Sequence, residues 1–215
     1  DLWTELEDVI GLNPVKVWIR KFVNERLRCF VAGDHYPMRH IMIEGGLGTG
    51  KKKAIALIAK AIYAMGLSNN YSTQPWLQNS KLADNKINHL HLTPEERKQL
   101  NIESFDAKVD DLDASSATSP NALSLLIVSG RKGIRSLKEE SISFCKREPD
   151  FIALEPFSST ELAFCVMQML IKKVNLSEKV TAEMLAAAIE HRWSDGERKQ
   201  RSIYLAHDMT EYLLR

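Results

Sequence analysis

The 215-residue sequence predicts an α/β fold: a three-layer domain with a parallel sheet to about residue 157, then a small helical subdomain from about 158 to 215. Three observations carry this expectation. The apolar run His40-Ile41-Met42-Ile43-Glu44 leads into the glycine-rich turn Gly45-Gly46-Leu47-Gly48-Thr49-Gly50, and a long apolar-periodic stretch follows Lys51-Lys52-Lys53 as far as Ile62. That succession reads as strand, loop and helix. Leu123-Ser124-Leu125-Leu126-Ile127-Val128-Ser129-Gly130 is a continuous apolar run closed by glycine, the pattern of a strand buried on both faces. From Ser158 onward the patterns are helical to the end.

Taken in order, Val9-Ile10-Gly11-Leu12 turns into a first helix opened by Asn13 as cap and Pro14 in the first turn. Its apolar stripe is Val15, Val17, Trp18, Ile19, Phe22, Val23 and Leu27, ending near Gly33. After the glycine-rich turn and its helix, Ser68 to Ala83 is polar and reads as a surface loop or an insertion. His89-Leu90-His91-Leu92 is a short alternating strand, and Thr93-Pro94-Glu95-Glu96 is a capping box with proline at the first helical position. Between Ile102 and Asp113 the charges of Asp106 and Lys108 interrupt any apolar run, so the stretch reads as an acidic loop. A helix to about Cys145 precedes the stretch Lys146 to Leu154. Ser158-Ser159-Thr160-Glu161 is a second capping box before Leu162, Phe164, Val166, Met169, Leu170 and Ile171. Met184, Leu185, Ala188 and Ile189 mark another helix, and a polar turn at Asp195-Gly196 leads to a last one carrying Ile203 to Leu213.

Lysines and arginines number 29 against 28 acidic residues, a net charge of +1, so no global field argues for nucleic acid or an anionic membrane. Cys29, Cys145 and Cys165 fit neither a disulfide framework nor a zinc site, and read as reduced thiols of an intracellular protein. No apolar run has the length of a membrane span, and no signal-peptide pattern begins the chain. The first residue is not Met and Arg215 stands inside a helical pattern, which suggests a piece of a longer protein.

The motif G-x-x-x-x-G-K-[ST] is matched from Gly45 to Lys51 and fails at Lys52. Each part of such a loop has its own task. The glycines let successive N–H groups turn toward phosphate oxygens, and the helix that follows adds the positive end of its dipole. Lys51 would reach the β- and γ-phosphates, whereas the hydroxyl normally found at position 52 ligates Mg²⁺, which a lysine ammonium cannot do. The loop is suited to an anion and poorly suited to a metal; a glycine-rich turn without ligand is the alternative. His89 and His91 share a strand face, but without a Cys, Asp or Glu partner at a telling distance they read as strand residues and not as metal ligands.

Ile10-Gly11-Leu12-x-Pro14-Val15-Lys16 before the strand resembles the opening of the CbxX/CfqX branch of the AAA+ P-loop ATPases, the SpoVK/EccA-like group. The loop is similar to that family's Gly-Asn-Pro-Gly-Thr-Gly-Lys-Thr-Thr, matching at Gly45, Gly48, Thr49, Gly50 and Lys51 and departing at Gly46, Leu47, Lys52 and Lys53. Ala61-Ile62-Tyr63-Ala64-Met65-Gly66-Leu67 is similar to the family's Arg-Ile-Tyr-x-Ala-Leu-Gly-Leu. The resemblance implies a P-loop domain with a helical lid, His89–Leu92 as its second strand, and a catalytic third strand ending in Asp-Glu between Ile102 and Asp113, where Asp110 and Asp111 are the candidates. It also implies a sensor position at Ser129 or Arg131 and a helical connection before that strand, for which residues 113–122 look too short. Arg147 falls on the arginine that reaches a neighbouring subunit's nucleotide, and Arg198 or Arg201 on the second sensor arginine.

The implied ligand is ATP or ADP, held by Gly45, Gly48, Thr49, Gly50, Lys51, Lys52 and Arg201, with Mg²⁺ not expected. The leading expectation is a degenerate module with impaired hydrolysis that packs against protein partners or neighbouring AAA+ modules. An alternative is an active remodelling ATPase like the family's Rubisco activases. Another is a nucleic-acid-associated module using Lys51–Lys53 and Arg198–Arg201 as one basic surface.

Overall fold

In the computed structural model, residues 1–34, 36, 38–68, 73–75, 86–117, 124–131, 133–174 and 180–214 are described. Asp1 caps a first helix, α1 (Leu2–Asp8), by accepting a hydrogen bond from the Trp3 N–H. The sequence reading missed this helix. Next, α2 (Asn13–Ala32) begins at Leu12, a left-handed residue with no side-chain cap, so Asn13 lies inside the helix and does not cap it. Then follow β1 (Ile41–Gly45), α3 (Lys51–Ala64), β2 (Thr73–Pro75), β3 (Lys86–Leu92), α4 (Pro94–Gln99), α5 (Ile102–Ala117) and β4 (Ser124–Gly130). The chain continues with α6 (Ser136–Glu140), α7 (Ile142–Lys146), β5 (Asp150–Leu154), α8 (Ser159–Ile171), α9 (Ala182–Arg192), α10 (Asp195–Arg201) and α11 (Ile203–Leu213).

Among the described residues the five strands are parallel, in the order β2-β3-β4-β1-β5. Each sheet face is apolar, as a parallel sheet covered on both sides requires. Ile41, Ile43, Ile87, Leu125 and Ile127 pack under α2 and α3, whose Val15, Ile19, Leu57 and Ile58 are fully buried. Met42, Leu90, Leu92, Leu126 and Val128 face the other way, against Phe105, Val109 and Leu112 of α5 and Phe144 of α7. A separate apolar cluster joins α8, α9 and α11 through Leu162, Val166, Leu185, Ile189, Ala206 and Met209. Gly48 O accepts the Ile203 N–H at 3.4 Å, which ties this helical layer to the turn after β1.

Two sequence expectations are corrected here. The stretch from Ile102 to Asp113 is neither a strand nor a loop but most of α5. Phe105, Val109 and Leu112 recur at helical spacing and bury one stripe, while Asp106, Lys108 and Asp110 fall between them, so the charges that break a period of two suit a period of 3.6. This helix is also the connection that looked too short; residues 118–123 lie outside the described set, as does most of the polar stretch 68–83. Likewise Asp195-Gly196 is not a turn: Ser194 and Glu197 form a capping box that starts α10 there. The capping boxes at Thr93 and Ser158 form as the sequence reading has them.

Candidate phosphate-binding site

The glycine-rich turn connects the carboxyl end of β1 to the amino end of α3, and its backbone accounts for its sequence. Gly48 has φ +72°, and a Cβ there would stand 2.6 Å from the Arg201 carbonyl oxygen, so both conformation and contact call for glycine. Gly50 caps α3 in the left-handed region at φ +85°. Thr49 is buried and its hydroxyl donates to Gly46 O at 3.1 Å.

Lys51 folds back into the turn. Its ammonium donates to Gly45 O at 2.7 Å and Gly46 O at 2.5 Å. Burial, and then the neighbouring Arg131 guanidinium, hold its pKa below the ordinary lysine value. A partly desolvated cation beside a second cation favours an anion between them. Lys52, by contrast, is exposed. A cleft of about 640 Å³ opens beside the turn, lined by Glu44, Gly45, Gly46, Leu47, Arg131, Ala153, Leu154, Lys199, Gln200 and Arg201.

Across the sheet, His91 of β3 pairs in register with Ser129 of β4, which pairs in turn with Ile43 of β1. Laterally paired residues point the same way, and Ile43 points toward α3, so His91 and Ser129 lie on the face over which α3 begins. The Ser129 hydroxyl is fully buried and bridges His89 Nε2 at 2.8 Å and His91 Nδ1 at 3.0 Å. His89 is pushed down to about 4, by burial and then by His91. His91 is also lowered, by burial and then by Lys51, with Lys52 and Arg131 adding to this and Glu96 opposing it. Glu44 lies one row further along β1, on the opposite face.

The other sequence candidates lie elsewhere. Asp110 accepts the Ser143 hydroxyl at 2.8 Å and sits 3.5 Å from the Lys146 ammonium, and Asp111 is exposed on the same helix. Arg147 pairs with Asp113 at 2.9 Å and donates to Met38 O at 3.5 Å. Asp113 also stands 3.6 Å from His40, the residue before β1, so this end of α5 and Arg147 gather at the amino end of the sheet, opposite the turn. Arg201 lines the cleft while its guanidinium is paired with Asp208. Of the remaining basic run residues, Lys53 is bound to Glu5, and Arg198 and Lys199 are paired with Asp195.

Five parallel strands in this order, with the turn between β1 and α3 and a helical layer over its rim, superpose on solved structures of nucleotide-handling proteins. The closed state of Hsp104 with ATPγS and FITC casein matches over 91% of this chain with a TM-score of 0.53 and 11% identity. The ORC2 protein of Aeropyrum pernix, solved in ADPNP and ADP complexes, matches over 97% with a TM-score of 0.55 and 12% identity. The fold is that of the AAA+ P-loop ATPases. This chain spans 43% of the Hsp104 chain and 67% of the ORC2 chain. No protein-family model matches the sequence, and a comparison with curated proteins finds no match.

β3 is the third strand in chain order and lies between β2 and β4 in the sheet. His89–Leu92 therefore belong to the third strand in chain order and not to the second, and Asp110 and Asp111 stand on the helix α5 and on no strand. The second strand is the short β2, whose neighbours 69–72 and 76–85 lie outside the described residues. The carboxyl end of β3 reads His91-Leu92-Thr93 and carries no carboxylate, and Glu96 just beyond is turned back to the Thr93 N–H at 2.8 Å. The residues at the loop thus fit a phosphate chain: Lys51, Arg131 and the amino end of α3. At position 52 the hydroxyl that ligates Mg²⁺ in such loops is replaced by an ammonium, which cannot ligate a cation. Among the described residues no group of three or more His, Cys, Asp or Glu side chains is placed to hold a metal, and no helix is long and apolar enough to cross a membrane.

Proposed function

We propose that this chain is a nucleotide-binding but hydrolysis-impaired AAA+ module of the CbxX/CfqX kind, which takes ATP or ADP without Mg²⁺ and acts as an assembly partner. The observation that carries this reading is the contrast between the glycine-rich turn into which Lys51 folds and the neighbouring strand β3, whose carboxyl end, His91-Leu92-Thr93, carries no carboxylate. Phosphoryl transfer depends on positioning and on neutralising charge, so removing both the metal hydroxyl and the water-orienting carboxylate removes the main sources of rate. The glycines and Lys51 can still hold phosphate with backbone N–H groups and one ammonium.

Its partners are proteins or neighbouring AAA+ modules. The pairing of Lys53, Arg198, Lys199 and Arg201 with carboxylates speaks against one open basic surface for nucleic acid. Steady-state ATP turnover in Mg²⁺ tests the reading. Wild type is expected to match Lys51→Ala at background level. Turnover that vanishes in Lys51→Ala would instead favour an active remodelling ATPase.

A further inference from the structure

We propose that His91 is a proton-dependent ligand of the terminal phosphates, the side chain that stands in for a carboxylate-held metal when a nucleotide binds at the loop. The inference rests on the nucleotide-binding reading and adds to it a residue and a means of regulation. Its support is positional. His91 is exposed at the carboxyl end of β3, on the sheet face where α3 starts, and Lys51, Lys52 and Arg131 all act on it electrostatically. Its Nδ1 is occupied by Ser129, whose hydroxyl also holds His89, so the ring is fixed from behind.

A hydroxyl has one proton, so Ser129 donates to one imidazole and accepts from the other. Where it donates to His89, His91 Nδ1–H donates to Ser129 and Nε2 bears a lone pair that repels phosphate. Protonation of Nε2 then turns a repelling atom into a charged donor. The charged groups around His91 are Lys51 and Lys52 from α3, Arg131 after β4 and Glu96 from α4, with the titratable His89 beside it on its own strand, and of the charged groups only Glu96 favours the proton. Partial desolvation and the three cations hold the His91 pKa below the ordinary imidazole value. A polyphosphate brings three or four negative charges against those cations and reverses their influence. The pKa rises on binding, the complex takes up a proton, and affinity increases as pH falls.

Calorimetric titration of the full chain with ADP in EDTA, between pH 8 and pH 6 and in two buffers of different ionisation enthalpy, tests this. ADP has its own titrating phosphate, so the reading is the difference between wild type and His91→Asn, with His91→Gln as a second variant. Wild type is expected to gain affinity more steeply than either variant, by up to about tenfold per pH unit for one linked proton, and to take up a proton fraction that both variants lack. Equal pH slopes and equal proton uptake in folded variants would overturn the role of His91 while leaving the nucleotide site intact. Absence of ADP binding at every pH would overturn the nucleotide reading itself, and this inference with it.

Discussion

Lys51 shows how much of a site one residue reveals. Its spacing after Gly45 and Gly50 was legible because a phosphate loop needs glycine conformations at fixed offsets from a lysine. The role of Ser129 was half legible: its position at the end of an apolar strand was plain, but its bridge between His89 and His91 joins residues 40 and 38 positions apart. Pairing of that kind follows from strand register, which one sequence does not display. The same holds for Glu5, whose partners Lys53 and Lys60 lie on α3, each 2.6 Å away. The Lys53 and Lys60 ammonium groups hold the Glu5 carboxyl down to about 2. A carboxyl depressed in the folded state contributes stability that is complete above its unfolded value and is lost as pH falls toward its folded value. Acid titration should therefore cost stability between about pH 4.5 and pH 2, by about 1 kcal/mol after screening of these part-exposed groups. Denaturant melts of Glu5→Gln against wild type should differ at pH 7 and converge near pH 2.

α5 is the element whose misreading mattered most. Asp106 and Lys108 excluded a strand correctly, and a helical period through Phe105, Val109 and Leu112 was present in the same residues. An expected catalytic strand competed with that period. That expectation put Asp110 and Asp111 at the end of a strand, whereas they stand on α5, whose Asp113 lies beside His40 at the amino end of the sheet. Because Asp110 and Asp111 sit on α5 near α7, with Asp110 bonded to Ser143, Asp110→Asn with Asp111→Asn should leave nucleotide affinity within about twofold of wild type. A tenfold loss in the folded double variant would place those residues back at the site. The buried strand at β4 and the two capping boxes were legible without ambiguity, since continuous apolar runs and Ser/Thr-x-x-Glu signals are local.

At the scale of the whole molecule, the helical layer and the loop meet at one junction. Between α10 and α11, Ser202 is buried in a conformation glycine favours, φ 46° and ψ −121°, and its hydroxyl accepts the Phe157 N–H at 3.0 Å. Such backbone strain persists where surrounding contacts enforce it. The strained residue precedes Ile203, which bonds to the loop at Gly48. Gly48→Ala would force a methyl group into the Arg201 carbonyl, at a cost of about 1–3 kcal/mol. Hydrogen exchange is expected to accelerate at α10 and α11 in that variant while the sheet stays protected; unchanged exchange in both layers would mean that the junction is not a constraint.

The most direct measurement is equilibrium binding of a fluorescent ATP analogue to the full chain, in EDTA and in Mg²⁺, with Lys51→Ala alongside. Binding in EDTA, no gain on adding Mg²⁺ and at least about tenfold weakening in Lys51→Ala is the predicted result, as expected for loss of a charged phosphate contact. Binding that requires Mg²⁺, or that survives loss of Lys51 unchanged, would contradict a metal-free phosphate site at this loop.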